Sequence, residues 1–365
     1  MSGGVDSSVA ALLLAQQGYD VIGITMRLWT LEQENVPKLS KRCCSVEDVE
    51  DARRVCQVIG VPHYVQNFER EFQEHVVDYF LDEYDRGRTP HPCLACNDRL
   101  KFDFLLRRAI FLDADYVATG HYARVRQDTS GFTLLKGVDP AKDQSYVLFT
   151  LGQSELGRLL LPVGEHPKGR IREIAKEANL PVADKPDSQD ICFIPHGDYR
   201  RFVTERRAPR PGQIVAIDGT VLGEHAGIHG FTVGQRRKLG LNGDTGVPKF
   251  VVRIDAPTSE VVLGDAADLL QDTLWASRVN YTNEPPEGSL RVSAKIRYKA
   301  TEAAATLVPH GDWAQVRFDA PQRAVTPGQP VVFYNGDEAI GGGYIELQGP
   351  STESANAAGA FSHAG

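Results

Sequence analysis

Apolar positions in the first 120 residues alternate between two periods. Short apolar runs read as strands: Val21-Ile22-Gly23-Ile24-Thr25-Met26 as a buried parallel one, then His63-Tyr64-Val65, then Asp115-Tyr116-Val117-Ala118-Thr119 running into Gly120. Between them apolar residues recur at helical spacing. These are residues 9–15 ending at Gly18, then Val46, Val49, Ala52, Val55 and Ile59, then Phe72, Val76, Tyr79 and Phe80, then Phe102, Leu105, Leu106 and Ala109. Strand and helix in alternation predict an open parallel α/β sheet. Ser45 with Asp48 would cap the second helix and Asn97 the fourth. Residues 123–135 read as a hairpin turned at Ser130-Gly131, and residues 167–178 as a helix with proline near its start.

The texture changes near residue 205. Glycine, valine and turn signals dominate, and short alternating strands appear at residues 213–222, 250–254 and 260–263, then at 290–298, 303–307, 313–318 and 331–334. The first group predicts a small, mainly β central domain and the second a C-terminal β-barrel. The expected organisation is a nucleotide-binding domain over 1–205, a central domain over 206–275, a barrel over 276–349 and a disordered Ser/Ala/Gly-rich tail over 350–365. Residues 208–212 are the expected linker. A doubly wound fold sets a strand before its first glycine turn. Here that turn opens the sequence, so a short upstream strand is expected.

Composition adds exclusions. With 42% hydrophobic and 24% charged residues the chain reads as soluble and globular. It has no apolar run of membrane length and no secretory signal, so a cytoplasmic protein without a membrane partner is expected. A net charge of −8 argues against bulk electrostatic binding of nucleic acid. A local basic face stays open, built from Arg200, Arg201, Arg206, Arg207, Arg210, Arg236, Arg237 and Lys238, although any one of them alone reads as solvated surface. Six cysteines in 365 residues are too sparse for a disulfide scaffold.

Three stretches carry candidate chemistry. Ser2-Gly3-Gly4-Val5-Asp6-Ser7-Ser8 is a glycine turn feeding a helix N-terminus, where free N–H groups and the helix dipole attract phosphate. No Gly-Lys-Ser/Thr follows, so it is not the P-loop of GTPases. It resembles the PP-loop of ATP pyrophosphatases, which implies adenylation with release of pyrophosphate. His91-Pro92-Cys93-Leu94-Ala95-Cys96-Asn97 would set Cys96 at a helix N-terminus, which favours thiolate. The alternative is a zinc half-site, for which the adjacent Cys43 and Cys44 make a poor second pair. In Asp187-Ser188-Gln189-Asp190-Ile191-Cys192-Phe193-Ile194-Pro195, the cysteine reads equally as a buried hydrophobe or as part of a functional loop.

Further stretches fall in order with these: Thr119-Gly120-His121-Tyr122-Ala123-Arg124, Lys142-Asp143-Gln144-Ser145-Tyr146, Thr232-Val233-Gly234-Gln235-Arg236-Arg237, Lys295-Ile296-Arg297-Tyr298, Thr326-Pro327-Gly328-Gln329 and Gly341-Gly342-Gly343. From residue 1 to about residue 348 the set resembles the tRNA-specific 2-thiouridylases, which place sulfur on a wobble uridine. The resemblance implies an N-terminal sheet of the adenine-nucleotide alpha-hydrolase, Rossmann-like type. It implies ATP phosphates held at Met1, Ser2, Gly3, Gly4, Val5, Asp6, Ser7 and Ser8. Asp6 would orient Mg2+ and pyrophosphate, Met26 would lie against adenine, and Gly120 would admit the nucleotide.

Sulfur would arrive as a Cys192 persulfide, supplied by a cysteine desulfurase or a sulfur relay protein. Cys96 would be the nucleophile, leaving a Cys96–Cys192 disulfide for a thiol reductant. His91, Pro92 and Cys93 match the stretch that meets the target base. His121, Lys142, Asp143, Gln144, Arg297, Tyr298 and Gln329 match tRNA-contacting positions, in tRNAs of the Lys, Glu and Gln type. Cys93 stands where some members of that family carry Asp, so a three-thiol iron–sulfur cluster with Cys96 and Cys192 is an alternative route. Another PP-loop ligase, or a zinc-binding or redox RNA-binding protein, would be different readings. Cys43, Cys44 and Cys56 are expected to be structural.

Overall fold

The computed structural model describes residues 1–29, 46–129, 131–187, 191–194, 197–241 and 248–350. The expected cap at Ser45, the thiols Cys43 and Cys44, the turn residue Ser130, residues 188–190, Pro195 and the tail beyond 350 lie outside them. In chain order the regular elements begin with α1 (Val5–Gln16), β1 (Gly23–Arg27), α2 (Val46–Ile59), β2 (His63–Asn67), α3 (Glu69–Phe72) and α4 (Asp78–Asp85). Next come α5 (Pro92–Ala95), α6 (Leu105–Phe111), β3 (Val117–Ala118), β4 (Ala123–Asp128), β5 (Gly131–Lys136), α7 (Gln153–Leu156), β6 (Leu159–Leu160), α8 (Lys168–Glu177) and α9 (Tyr199–Thr204). The strands β7 (Gly212–Ala216), β8 (Val221–His225), β9 (Phe250–Asp255), β10 (Glu260–Gly264) and β11 (Leu270–Tyr281) follow. The chain closes with β12 (Leu290–Lys295), β13 (Ala303–His310), β14 (Trp313–Arg323), β15 (Pro330–Asn335) and β16 (Glu338–Glu346). No helix among the described residues is long and apolar enough to cross a membrane.

The chain forms two compact units. The first holds residues 1–78, 92–199 and 337–339. Among the described residues its parallel strands fall into two pairs, β1 with β2 and β3 with β6, instead of one continuous sheet. Helix α1 is buried nearly all round, through Val5, Val9, Ala10, Leu12 and Leu14, and packs with Ile171, Ile174 and Ala175 of α8. That explains an apolar run with no polar face. The run at residues 63–65 is a strand as expected, but Tyr64 and Val65 are exposed. Val46, expected on the buried stripe of α2, is exposed at its first turn, while Ala52, Val55 and Cys56 are buried.

The helix expected from Asn97 begins at Pro92. Proline suits a first helical turn because its missing N–H has no partner there. Between α5 and α6 the chain runs as a π-helix over Cys96–Phe104. The hairpin β4–β5 pairs from Ala123↔Lys136 to Asp128↔Gly131, and Glu338 lies opposite Leu135.

The second unit holds residues 79–91, 200–336 and 340 onward. It contains a four-stranded mixed sheet, β8-β7-β10-β9, in which β7 and β10 are parallel, over a core including Ile214, Val251, Val261 and Leu263. It also contains a six-stranded barrel, β11-β14-β13-β12-β15-β16, closed by β11 against β16. Val292, Leu307, Val316, Phe333 and Ile345 fill the barrel. The triple glycine has a steric reason here. A Cβ on Gly341 would lie 2.2 Å from the Asn280 carbonyl oxygen, and one on Gly343 2.8 Å from that of Ser277.

Candidate active site

The first turn of α1 is shaped to receive an anion. Its N-cap, Gly4, is extended and offers no side-chain cap, so the leading N–H groups are not claimed by a capping side chain. Ser8 Oγ donates to the Gly4 carbonyl at 2.8 Å, and the Ser2 backbone N–H donates to Ser7 Oγ at 3.1 Å. Gly3 takes φ +70°, and a Cβ on it would lie 2.2 Å from the Asp48 carbonyl oxygen, so α2 is pressed directly onto the turn. Lys185 fastens this contact, donating to the Gly3 carbonyl at 2.9 Å, to Asp48 at 2.6 Å and to Asp51 at 2.7 Å. Asp48, expected as a reciprocal cap, thus gives its carboxylate to Lys185. Gly120 closes the other side. A Cβ there would meet the Asp6 carbonyl carbon and the Ser7 nitrogen at 2.7 Å. Its smallness admits the turn itself.

Asp6 joins a charged network that sequence reasoning missed. Its Oδ1 accepts from the Tyr122 hydroxyl at 2.7 Å and from Lys168 at 2.6 Å. Lys168 also reaches Asp187 at 3.0 Å, where Lys142 at 2.8 Å and Arg172 at 2.7 Å converge. Partial burial opposes the Asp187 charge, but hydrogen bonds from Lys142 and Lys168 outweigh it and hold the carboxyl at about 2. Burial and the bond to Asp6 push the Tyr122 phenol far up, so it is a donor. One signal for Lys168 was in the sequence. The first turn of α8 carries Lys168 and Arg170 and no acid, the wrong sign for a helix start. Asp139 supplies the missing anion from a distant loop, accepting the Lys168 backbone N–H at 3.0 Å.

The two candidate sulfur carriers lie in this same unit. Cys96 is buried at 7% exposure and begins the π-helical stretch, a form frequent at functional sites, but it lies a turn inside the helix that starts at Pro92 and not at the expected helix N-terminus. Next to it Asn97 is buried; its Nδ2 donates to the Val147 carbonyl at 3.1 Å, and its Oδ1 has no partner among the described residues. Asn97 is therefore not a cap. Cys192 is half-buried in a turn, followed by buried Phe193, which packs edge-on against Phe72 at 5.5 Å. Cys93 is exposed. Among the described residues no three His, Cys, Asp or Glu side chains are grouped to hold a metal ion.

Three domain families match the chain in sequence order. They are a tRNA methyl transferase HUP domain over residues 1–196, a tRNA methyl transferase PRC-barrel domain over 200–265 and an aminomethyltransferase beta-barrel domain over 271–345. A tRNA-specific 2-thiouridylase of Carboxydothermus hydrogenoformans is 50% identical over 353 residues, spanning 95% of this chain and 96% of that protein. The chain belongs to the tRNA-specific 2-thiouridylase family. Enzymes of the same name from Geobacter metallireducens and Clostridioides difficile are each 49% identical over 352 residues, again 95% of this chain, and span 95% and 96% of those proteins. The matched domain families are named for methyl transfer and the full-length relatives for thiolation; identity near one half over almost the whole chain decides for the latter. The three matched domains agree with the expected α/β unit, small, mainly β central domain and C-terminal β-barrel.

The remaining positions matched to the thiouridylases divide by environment. Lys142 is partly exposed and bound to Asp187. Asp143 is buried and clasps its own loop, accepting from the Gly137 and Ser145 backbone N–H groups at 3.1 Å and from the Ser145 hydroxyl at 2.9 Å. Gln144 pairs with the Tyr122 backbone in both directions, at 2.9 and 2.7 Å. His121 is buried against Phe102, with Nδ1 2.8 Å from the Thr119 hydroxyl, and burial and then Lys101 hold it neutral. Burial likewise lowers His91, to about 4. Pro92 is buried in the first turn of α5. Met26 is half-buried in β1. In the second unit Arg297 donates to the Arg323 and Ala324 carbonyls, Lys295 lies 5.9 Å over the Tyr298 ring, and Gln329 donates to the Thr89 carbonyl at 2.9 Å.

Proposed function

We propose that this chain thiolates C2 of the wobble uridine in tRNAs of the Lys, Glu and Gln type, using ATP and a cysteine persulfide. The observation that carries this reading is the uncapped first turn of α1, with Lys168 beside it, in the same unit as Cys96 and Cys192. The triphosphate lies along residues 2–8, with Met26 toward the adenine. The uridine C2 oxygen attacks the α-phosphorus and pyrophosphate leaves, which converts a poor leaving oxygen into AMP. Asp6 suits magnesium, since Oδ1 takes Tyr122 and Lys168 while Oδ2 has no partner among the described residues; the ion would neutralise pyrophosphate.

The terminal sulfur of a Cys192 persulfide attacks C2 and expels AMP. The Cys96 thiolate then attacks Cys192 Sγ, breaking the S–S bond to the transferred sulfur and leaving 2-thiouridine with a Cys96–Cys192 disulfide. A thiol reductant supplies two electrons to restore the pair. A cysteine desulfurase or a relay protein reloads Cys192. The test is sulfur incorporation into tRNA by protein stripped of iron and zinc, given ATP, magnesium and a persulfide donor. Wild type and Cys93→Ser should work, and Cys96→Ser and Cys192→Ser should be inactive. A requirement for iron, with all three variants inactive, would overturn the persulfide route. Sulfur incorporation by Cys192→Ser would show that Cys192 does not carry the transferred sulfur.

A further inference from the structure

Lys142, Lys168 and Arg172 come from two separate places, the loop before Ser145 and helix α8, and all end on one carboxylate, Asp187. Lys168 alone continues to Asp6 in the first turn of α1. The three cations thus converge on two carboxylates, Asp187 and Asp6, beside an uncapped helix start, with Asp139 a third carboxylate at the Lys168 backbone N–H. The Lys168 side chain is only 11% exposed, and its ammonium lies 5.6 Å over the Tyr122 ring, so it is held in place. Asp187 is pinned in turn, because Arg172 also donates to the Ala183 and Lys185 carbonyls at 3.3 and 3.1 Å.

We propose that Lys168 is a phosphate-binding residue of this site, and that Asp187 is an internal anion holding Lys142, Lys168 and Arg172 ready until the diphosphate arm of ATP replaces it. This rests on the ATP-dependent reading above. A carboxylate divides two oxygens among three cations, whereas a diphosphate brings more charge and more acceptor oxygens to the same donors. Lys168 needs no long excursion to make the exchange, since its ammonium already touches the first turn of α1. The strongly acidic Asp187 carboxyl reflects the field that a phosphate would enter.

The proposal separates the diphosphate arm from the nucleoside, and that separation is the test. Binding of inorganic pyrophosphate with magnesium, and of AMP, is measured directly by calorimetry on the full chain, without tRNA or sulfur donor. Lys168→Met should weaken pyrophosphate about tenfold or more and leave AMP within about twofold, and Lys168→Arg should recover most of the loss. Asp187→Asn should bind pyrophosphate several-fold tighter, because the internal competitor has lost its charge; a purely structural carboxylate would not give that gain.

Equal weakening of pyrophosphate and AMP in Lys168→Met overturns the assignment. So does a folded Asp187→Asn variant that binds pyrophosphate no tighter. Should Asp187→Asn fail to fold, the contrast between Lys168→Met and Lys168→Arg decides alone. Wild type that binds neither ligand would instead remove the nucleotide reading itself.

Discussion

At the scale of single residues, Asp187 concentrates the electrostatics of the site. Its folded pKa lies below the ordinary 3.8, so its ion pairs contribute fully above that value and are lost as pH falls from about 4 to about 2. Burial alone would act in the opposite direction, raising the pKa; the hydrogen bonds from Lys142 and Lys168 set the sign. Asp187→Asn should therefore be less stable than wild type at neutral pH and lose less stability across that acid window. Thermal melts at several pH values compare the two slopes, and parallel slopes would assign the acid sensitivity to other carboxylates. Asp187 was legible as part of an acidic approach to Cys192, but its partners were not. Lys142, Lys168 and Arg172 are spread over 31 positions of chain and share no period that would link them to it.

At the scale of elements, strand and helix alternation was legible because burial imposes a period on sequence. The helix around Cys96 shows where that reasoning stops. A π-helix adds a residue to the turn and shifts the buried face, so Leu105 and Leu106, expected on the stripe, are only half-buried while Leu100 and Phe102 are fully buried. The tie between α2 and the glycine turn was also invisible, since it needs Lys185 to return 137 residues later. Burial disfavours the Lys185 charge, but the bonds to Asp48 and Asp51 outweigh it and raise its pKa, so the tie holds through neutral pH. Lys185→Met would leave two carboxylates facing each other beside the turn. It should cost about 1–3 kcal/mol in urea unfolding and raise the KM for ATP. An unchanged KM with the same loss of stability would limit Lys185 to a structural role.

At the scale of the whole molecule, a chain of net charge −8 that acts on tRNA must meet phosphate with a local basic surface. The sequence offered a set of arginines and could not rank them, because a cation spent inside the fold reads like one facing water. The structure ranks them. Arg207 is paired with Asp82 and Asp85, Arg210 donates to the Asp85 carbonyl, and Arg206 lies 3.9 Å over the Phe202 ring. Arg236 and Arg237, by contrast, are exposed and make no ion pair among the described residues. They follow Gly234, whose φ of +88° turns the chain in the 232–235 loop. Replacing both by alanine should leave the thermal midpoint nearly unchanged, since exposed positions with no partner contribute little to folding. It should weaken tRNA binding and reduce the slope of log affinity against log salt by roughly 0.7–0.9 per phosphate contact removed. Filter binding at three or four salt concentrations measures that slope. A double variant with the wild-type slope would show that neither side chain touches a phosphate and would move the basic contact surface away from the 232–238 loop.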